Sequence, residues 1–131
     1  MPKLNHADLA HFTGSSVRFT YPLNRFVLYS EGVQYVAEHG EAYWLIDQIA
    51  LYLGTPAFRK ACAADPRIAA LHFWTLTVAE DYTAVLSARA DSDVPPFETN
   101  RIDITDFPLS SIDIWAGFDG RYWTLYLPSE H

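Results

Sequence analysis

Five short runs in the second half of the chain alternate apolar and polar residues: 71–79, 83–90, 97–104, 111–118 and 121–127. A period of two points successive side chains to opposite faces, so each run predicts a half-buried β-strand. The connections are short and carry turn formers, which favours antiparallel neighbours. Asp119-Gly120 is the clearest of them and predicts a type I′ hairpin. Strands so close in sequence predict a β-meander.

The alternation also sorts side chains between the two sides of that sheet. One side collects Trp74, Leu76, Val78, Leu86, Ile102, Ile104, Ile112, Ile114, Trp123, Leu125 and Leu127, and needs a cover. The other holds Phe73, Thr75, Thr77, Val85, Ser87, Arg89, Arg101, Asp103, Asp113, Trp115, Tyr122, Thr124 and Tyr126. This second side is polar yet carries large aromatics. It reads either as a solvated face braced by cross-strand aromatic pairs or as a contact platform.

The first half supplies the cover. Asn5 with Asp8 predicts an N-capped helix over 5–12, ending near Gly14. Val17, Phe19, Tyr21 and then residues 26–29 are β-type. Ser30-Glu31-Gly32 predicts a hairpin turn with Gly32 at positive φ, and Val33, Tyr35 and Ala37 a returning strand. Residues 41–53 place Ala42, Ile46, Ile49, Ala50 and Leu53 on one helical face, and Gly54 stops that helix. Thr55-Pro56 starts a second helix through Ala64, and Asp65-Pro66 starts a short turn to Ala70. The class that follows is α+β: an antiparallel β-meander sheet with two to three helices packed on one face, in a single domain over residues 1–131.

Charge is uneven along the chain. The 131 residues hold 16 acids and 9 bases, a net −7. Residues 1–60 carry five of each, so the whole surplus falls in 61–131, and nine acids lie between Glu80 and Asp119. That balance argues against direct nucleic-acid binding and suits either plain solubility or the steering of a basic protein partner.

Chemistry is hard to find. There is no nucleophile elbow, phosphate loop, dinucleotide fingerprint or zincin motif. The lone Cys62 excludes an internal disulfide and a multi-cysteine zinc site, and reads as a buried inert thiol. His6, His11, His39, His72 and His131 are scattered, so no metal, cofactor or catalytic residue is expected. The start, Met1-Pro2-Lys3-Leu4-Asn5-His6, has no apolar leader, and no apolar run approaches the length of a membrane span. A cytoplasmic protein with no membrane partner is expected.

Two places exceed what packing requires. On the helix over 41–53, Trp44, Asp47, Gln48 and Leu51 fall opposite the core stripe. Cover by the next helix, with Phe58, accounts for Trp44 and Leu51; otherwise they form a partner surface. On the sheet, Asp113, Trp115, Tyr122 and Tyr126 share the polar side. These eight are the candidate protein-binding residues.

Several strings stand out together: 4–9 with Phe12-Thr13-Gly14, then 28–33, 42–50, Thr105-Asp106-Phe107-Pro108-Leu109 and finally Leu127-Pro128-Ser129-Glu130-His131. In that order they resemble a small bacterial family of unknown function, over nearly the whole chain. The resemblance implies a setting on plasmids, phages and integrative elements, and no catalytic residues.

Three readings follow. The chain is a non-catalytic accessory factor of a mobile genetic element that binds a host protein, such as a nucleic-acid-binding defence protein, in the manner of an anti-CRISPR or anti-restriction inhibitor. Alternatively it is a small-molecule-binding domain or unrecognised enzyme, with a site where Tyr43, Asp47 and Gln48 meet Tyr29 or Tyr35. In the third reading it is a structural homodimer joined through Trp44 and Leu51 or through 122–126.

Overall fold

The structure, a computed structural model, describes residues 4–14 and 16–131. Met1-Pro2-Lys3, which belong to the start read above for a leader, lie outside the described residues. The cover begins with a one-turn helix α1 (His6–Leu9), where the Asn5 side chain accepts from the Asp8 N–H at 2.8 Å. Strands β1 (Arg18–Thr20) and β2 (Val27–Ser30) form an antiparallel pair. Three helices follow: α2 (Glu31–His39), α3 (Tyr43–Tyr52) and α4 (Pro56–Ala64). Thr55 caps α4 as expected, its hydroxyl accepting from the Phe58 N–H, with Pro56 in the first turn. A 3₁₀ turn, Pro66–Ala69, leads into the second half.

That half contributes β3 (Leu71–Val78), β4 (Ala84–Arg89), β5 (Glu98–Ile102), β6 (Ser111–Phe118) and β7 (Trp123–Tyr126). All seven strands join one sheet in the order β1-β2-β7-β6-β3-β4-β5. The α+β class holds, and the sheet is mostly antiparallel. It is not a simple meander. After β5 the chain returns past β4 to pair β6 with the other side of β3, and β2 lies parallel to β7. A parallel neighbour needs a crossover, and here three helices and four strands intervene.

The expected hairpin at Ser30-Glu31-Gly32 is a helix start instead. Ser30 is the N-cap of α2, its Oγ accepting from the Val33 N–H at 3.2 Å. Val33, Tyr35 and Ala37 fit a strand, but Val33, Val36 and Ala37 also fit a helical face, and these three are buried. The short run satisfies both periods, and burial against the sheet selects the helix. Gly32 is needed for close approach rather than for positive φ. A Cβ there would stand 2.6 Å from Glu130 Oε1 and 2.7 Å from Leu127 Cδ1.

That contact ties the last turn to α2. Glu130 accepts from the Ser30 hydroxyl at 2.6 Å, from the Leu127 N–H at 2.9 Å and from the Gly32 N–H at 3.3 Å. A carboxylate at a helix N-terminus meets unpaired N–H groups and the positive end of the dipole. The string at 28–33 and the one at 127–131 are therefore halves of one structural contact.

The core side of the sheet is as expected for Trp74, Leu76, Leu86, Ile112, Ile114, Leu125 and Leu127, all buried. From the helices, Val33, Val36, Leu45, Ile46 and Ile49 meet it. Ile104 is a correction: it is 79% exposed. β5 ends at Ile102, the Thr105 N–H bonds the Tyr82 carbonyl, and Phe107 fills the core place instead. The turn at Asp119-Gly120 is a second correction. Only Gly120 has positive φ, where a type I′ turn needs two such residues. Asp119 closes the turn by accepting from the Arg121 and Tyr122 N–H groups, which also holds its carboxyl below the usual range.

His72 occupies the centre of an aromatic box. It has no exposed surface, and the rings of Phe58, Trp74, Phe97 and Trp123 lie 5.1–5.9 Å away. Burial pushes its imidazole down to about 4, against the opposing effect of the Ile68 carbonyl bonded to Nδ1. The neutral ring donates from Nδ1 and leaves Nε2 without a partner among the described residues.

Candidate functional site

The eight sequence candidates separate onto opposite faces of the sheet. Asp113, Trp115 and Tyr126 lie on the face away from the helices, as their alternation with buried Ile114 and Leu125 requires. Asp47, Gln48 and Leu51 lie on α3, on the covered side. Trp44 belongs to neither surface, being half-buried against the core. Tyr122 falls in the turn before β7, its ring beneath the Arg121 guanidinium at 5.0 Å.

On the open face, register builds an aromatic row. Phe73 on β3 pairs with Trp115 on β6, which pairs with Tyr126 on β7. Ring centroids are 5.0 Å apart for Phe73–Trp115 and 6.2 Å for Trp115–Tyr126, both edge-on. His131 closes the row 5.1 Å from Trp115, stacked on Tyr126 and bonded through Nδ1 to its hydroxyl at 2.8 Å. Beside the row is a hollow of about 430 Å³ lined by Phe73, Thr75, Arg89, Asp91, Ser92, Asp113 and Trp115. Thr75 donates to Asp113 at 2.8 Å, which fixes that carboxylate at the rim. Phe73, Thr75, Arg89, Asp91, Ser92 and His131 were not among the eight candidates. Phe73 and Arg89 already shared the predicted face with Trp115; the missing information was which strands are neighbours.

The second site is a cleft of about 270 Å³ between α3 and the strands β4 and β5. Asp47, Gln48, Leu51 and Tyr52 come from α3, and Glu98 and Asn100 from β5. Trp74 and Leu86, both buried, form its floor. The Asn100 amide donates to Gln48 Oε1 and ties the edge strand to the helix. Asp47 Oδ1 accepts from the Tyr21 hydroxyl at 2.7 Å. Burial, that hydrogen bond and the Asp47 charge push the Tyr21 phenol up to about 12. Tyr52 is raised by burial and then by the nearby Glu98 carboxylate.

The expected meeting of Asp47 and Gln48 with Tyr29 or Tyr35 is not what forms this cleft. Tyr35 stacks on His39 and points its hydroxyl to Asp8, while Tyr43 takes a 3.4 Å hydrogen bond from Gln34. Nor does α4 cover Leu51, which stays 48% exposed. Phe58 packs instead on Tyr52, His72 and Trp123. Glu98 and Asn100 carried a legible signal: in register with Ile102, they are polar residues on the core side of an edge strand.

Cys62 is half-buried on α4 with its thiol pushed up by burial. Among the described residues no group of three or more His, Cys, Asp or Glu is placed to hold a metal ion. No helix among them is long and apolar enough to cross a membrane.

A family model described as a family of unknown function (DUF6876) matches residues 3–131. No curated protein and no solved structure matches the chain.

Proposed function

We propose that this chain, which belongs to the DUF6876 family of unknown function, is a non-catalytic protein-binding factor that engages its partner through the open face of the sheet. The observation that carries the reading is the row of half-exposed Phe73, Trp115 and Tyr126, ended by the exposed His131, beside a hollow of about 430 Å³. Tyr and Trp supply large contact area with a polar handle, and such rings anchor protein interfaces. At the hollow, Asp113 and Asp91 stand near the Arg89 guanidinium, and Arg67 pairs with Asp91 at 3.8 Å, so the hollow itself is close to balanced. It is the net charge of −7 over the whole chain that favours a basic protein partner. The partner we propose is a host protein, and a nucleic-acid-binding defence protein is the class whose charge fits best. On a plasmid or phage such binding would inhibit host defence.

The test compares capture from host lysate by the unaltered chain and by a Trp115→Ala, Tyr126→Ala double variant. A specific protein retained at physiological salt, lost with the double variant and released as salt rises, is the expected result. Capture untouched by the double variant removes the open face from the reading. Binding of single-stranded oligonucleotides through the same rings would replace the protein partner with nucleic acid. A concentration-dependent dimer in sedimentation velocity, abolished by the double variant, would assign the face to self-association.

A further inference from the structure

The sheet ends at β1 on one side and at β5 on the other. β1 has three residues, a short edge that templates little, whereas β5 has five. Pairing with β4 uses one side of β5, and among the described residues no other backbone segment bonds its outward side. Edges are commonly blunted by proline or by a covering element. Pro95-Pro96 guards the start of β5, since neither residue has an N–H to pair. No such guard follows Ile102, because the next proline is Pro108. Beyond Ile102 the chain stays beside the approach to β4 as far as Thr105, whose N–H bonds the Tyr82 carbonyl at 2.8 Å. At this unguarded end Ile104 is 79% exposed and Tyr82 is 63% exposed. An open edge flanked by bare apolar side chains is a template for another strand.

We propose that the end of β5 pairs antiparallel with the same segment of a second copy of this chain, about a two-fold axis at Ile102, lengthening β5 by two residues. Of the two-fold registers, one fits. An axis at Asn100 sets Ile104 against Pro96 of the second copy, which cannot donate. An axis at Arg101 sets two guanidiniums opposite each other, which is unfavourable. An axis at Ile102 sets the exposed Arg101 opposite the exposed Asp103 of the second copy, twice over, and among the described residues neither is in an ion pair within its own chain. The same register sets Ile102 against Ile102 with Ile104 on the diagonal, so four isoleucine side chains meet at the axis on the covered side, while the charge pairs lie on the open side. A two-fold seam uses up the β5 edge of both copies, so assembly closes at two. β7, lying between β2 and β6, offers no edge for such a seam. The seam is short, and a dissociation constant on the order of 10–100 μM is expected. It is separate from the aromatic row and stands or falls without it.

Sedimentation velocity of the whole chain from about 10 μM to about 1 mM tests this. A monomer–dimer equilibrium is expected. Ile104→Lys, at a position outside the fold's own packing, is expected to weaken the dimer at least about tenfold. Arg101→Asp alone is expected to weaken it about tenfold, because the axis makes each substitution count twice. Adding Asp103→Arg to Arg101→Asp exchanges the two charges and is expected to restore the dimer, a rescue that a merely more soluble surface would not produce. Trp115→Ala with Tyr126→Ala is expected to leave the dimer in place, which separates this seam from the aromatic row. A monomer over the whole range, a dimer indifferent to Ile104→Lys or Arg101→Asp, a charge exchange that restores nothing, or loss of the dimer with the Trp115 and Tyr126 double variant overturns the proposal.

Discussion

Phe73 and Trp74 are neighbours on β3, and Ile114 and Trp115 are neighbours on β6, yet the two tryptophans face opposite environments. Trp74 pairs with Ile114 on the covered side, is 2% exposed and meets Tyr52 and His72 edge-on. Trp115 pairs with Phe73 on the open side and stays half-exposed, with only Tyr126 and His131 beyond it. A one-residue step along a strand exchanges faces, so the same residue type is buried at one position and left half-exposed at the next. The covered face spends its rings on removing apolar surface from water. The open face keeps part of that surface wet, with its rings paired across the strands.

The widest contrast should appear in stability. Leu125→Ala, at a fully buried β7 position, is expected to cost about 2–5 kcal/mol, whereas Trp115→Ala, on the opposite face of the neighbouring strand β6, is expected to cost about 1 kcal/mol. Denaturant unfolding of both variants reads this directly. Equal losses would make the open aromatic row a second core and remove the reason for calling it a contact surface.

Acid should act on the covered face first. In the unfolded chain His72 titrates near its ordinary value of 6.5, and in the fold it is pushed down to about 4. Between those values the unfolded state binds more protons, so stability rises with pH across the window and is lost as pH falls through it. The expected loss between about pH 7 and about pH 4.5 is roughly 2–3 kcal/mol. Unfolding curves at the two values check it, and a His72→Gln variant should flatten the slope. An unchanged slope would place the titration elsewhere.

A smaller effect sharpens the comparison where the two faces join. Glu130 holds the last turn onto α2, next to His131 of the open row. Glu130→Gln is expected to cost about 1–2 kcal/mol by weakening charge-assisted bonds to Ser30, Gly32 and Leu127. It should also loosen His131, seen as a changed Tyr126 and His131 ring environment in NMR spectra. Loss of stability without that change would uncouple the lock from the row.

Much of this was legible in the residues. The five later strands, the Thr55-Pro56 start of α4 and the split of each strand between two faces follow from period and capping chemistry alone. Residues 33–37 read as a strand and fold as a helix because five residues can satisfy both periods, and only burial of Val36 chooses between them. Ile104 looked like core because alternation does not announce where a strand stops. Asp47, Gln48 and Leu51 share one face of α3, as helical spacing requires, but the Glu98 and Asn100 that line the cleft with them are about fifty residues away, and no local pattern joins them.

Alternation and turn chemistry, which act between near neighbours, therefore determined an acidic α+β chain with aromatics on both faces of its sheet. Strand order was decided only by the tertiary structure. It set β6 between β3 and β7, which lined Phe73, Trp115 and Tyr126 into a row, and it put β5 at the edge under α3, which made the cleft. The physical reason is that pairing partners are selected by the burial of one whole face at once, a sum over residues far apart in the chain, while each residue's own neighbours fix only which way it points.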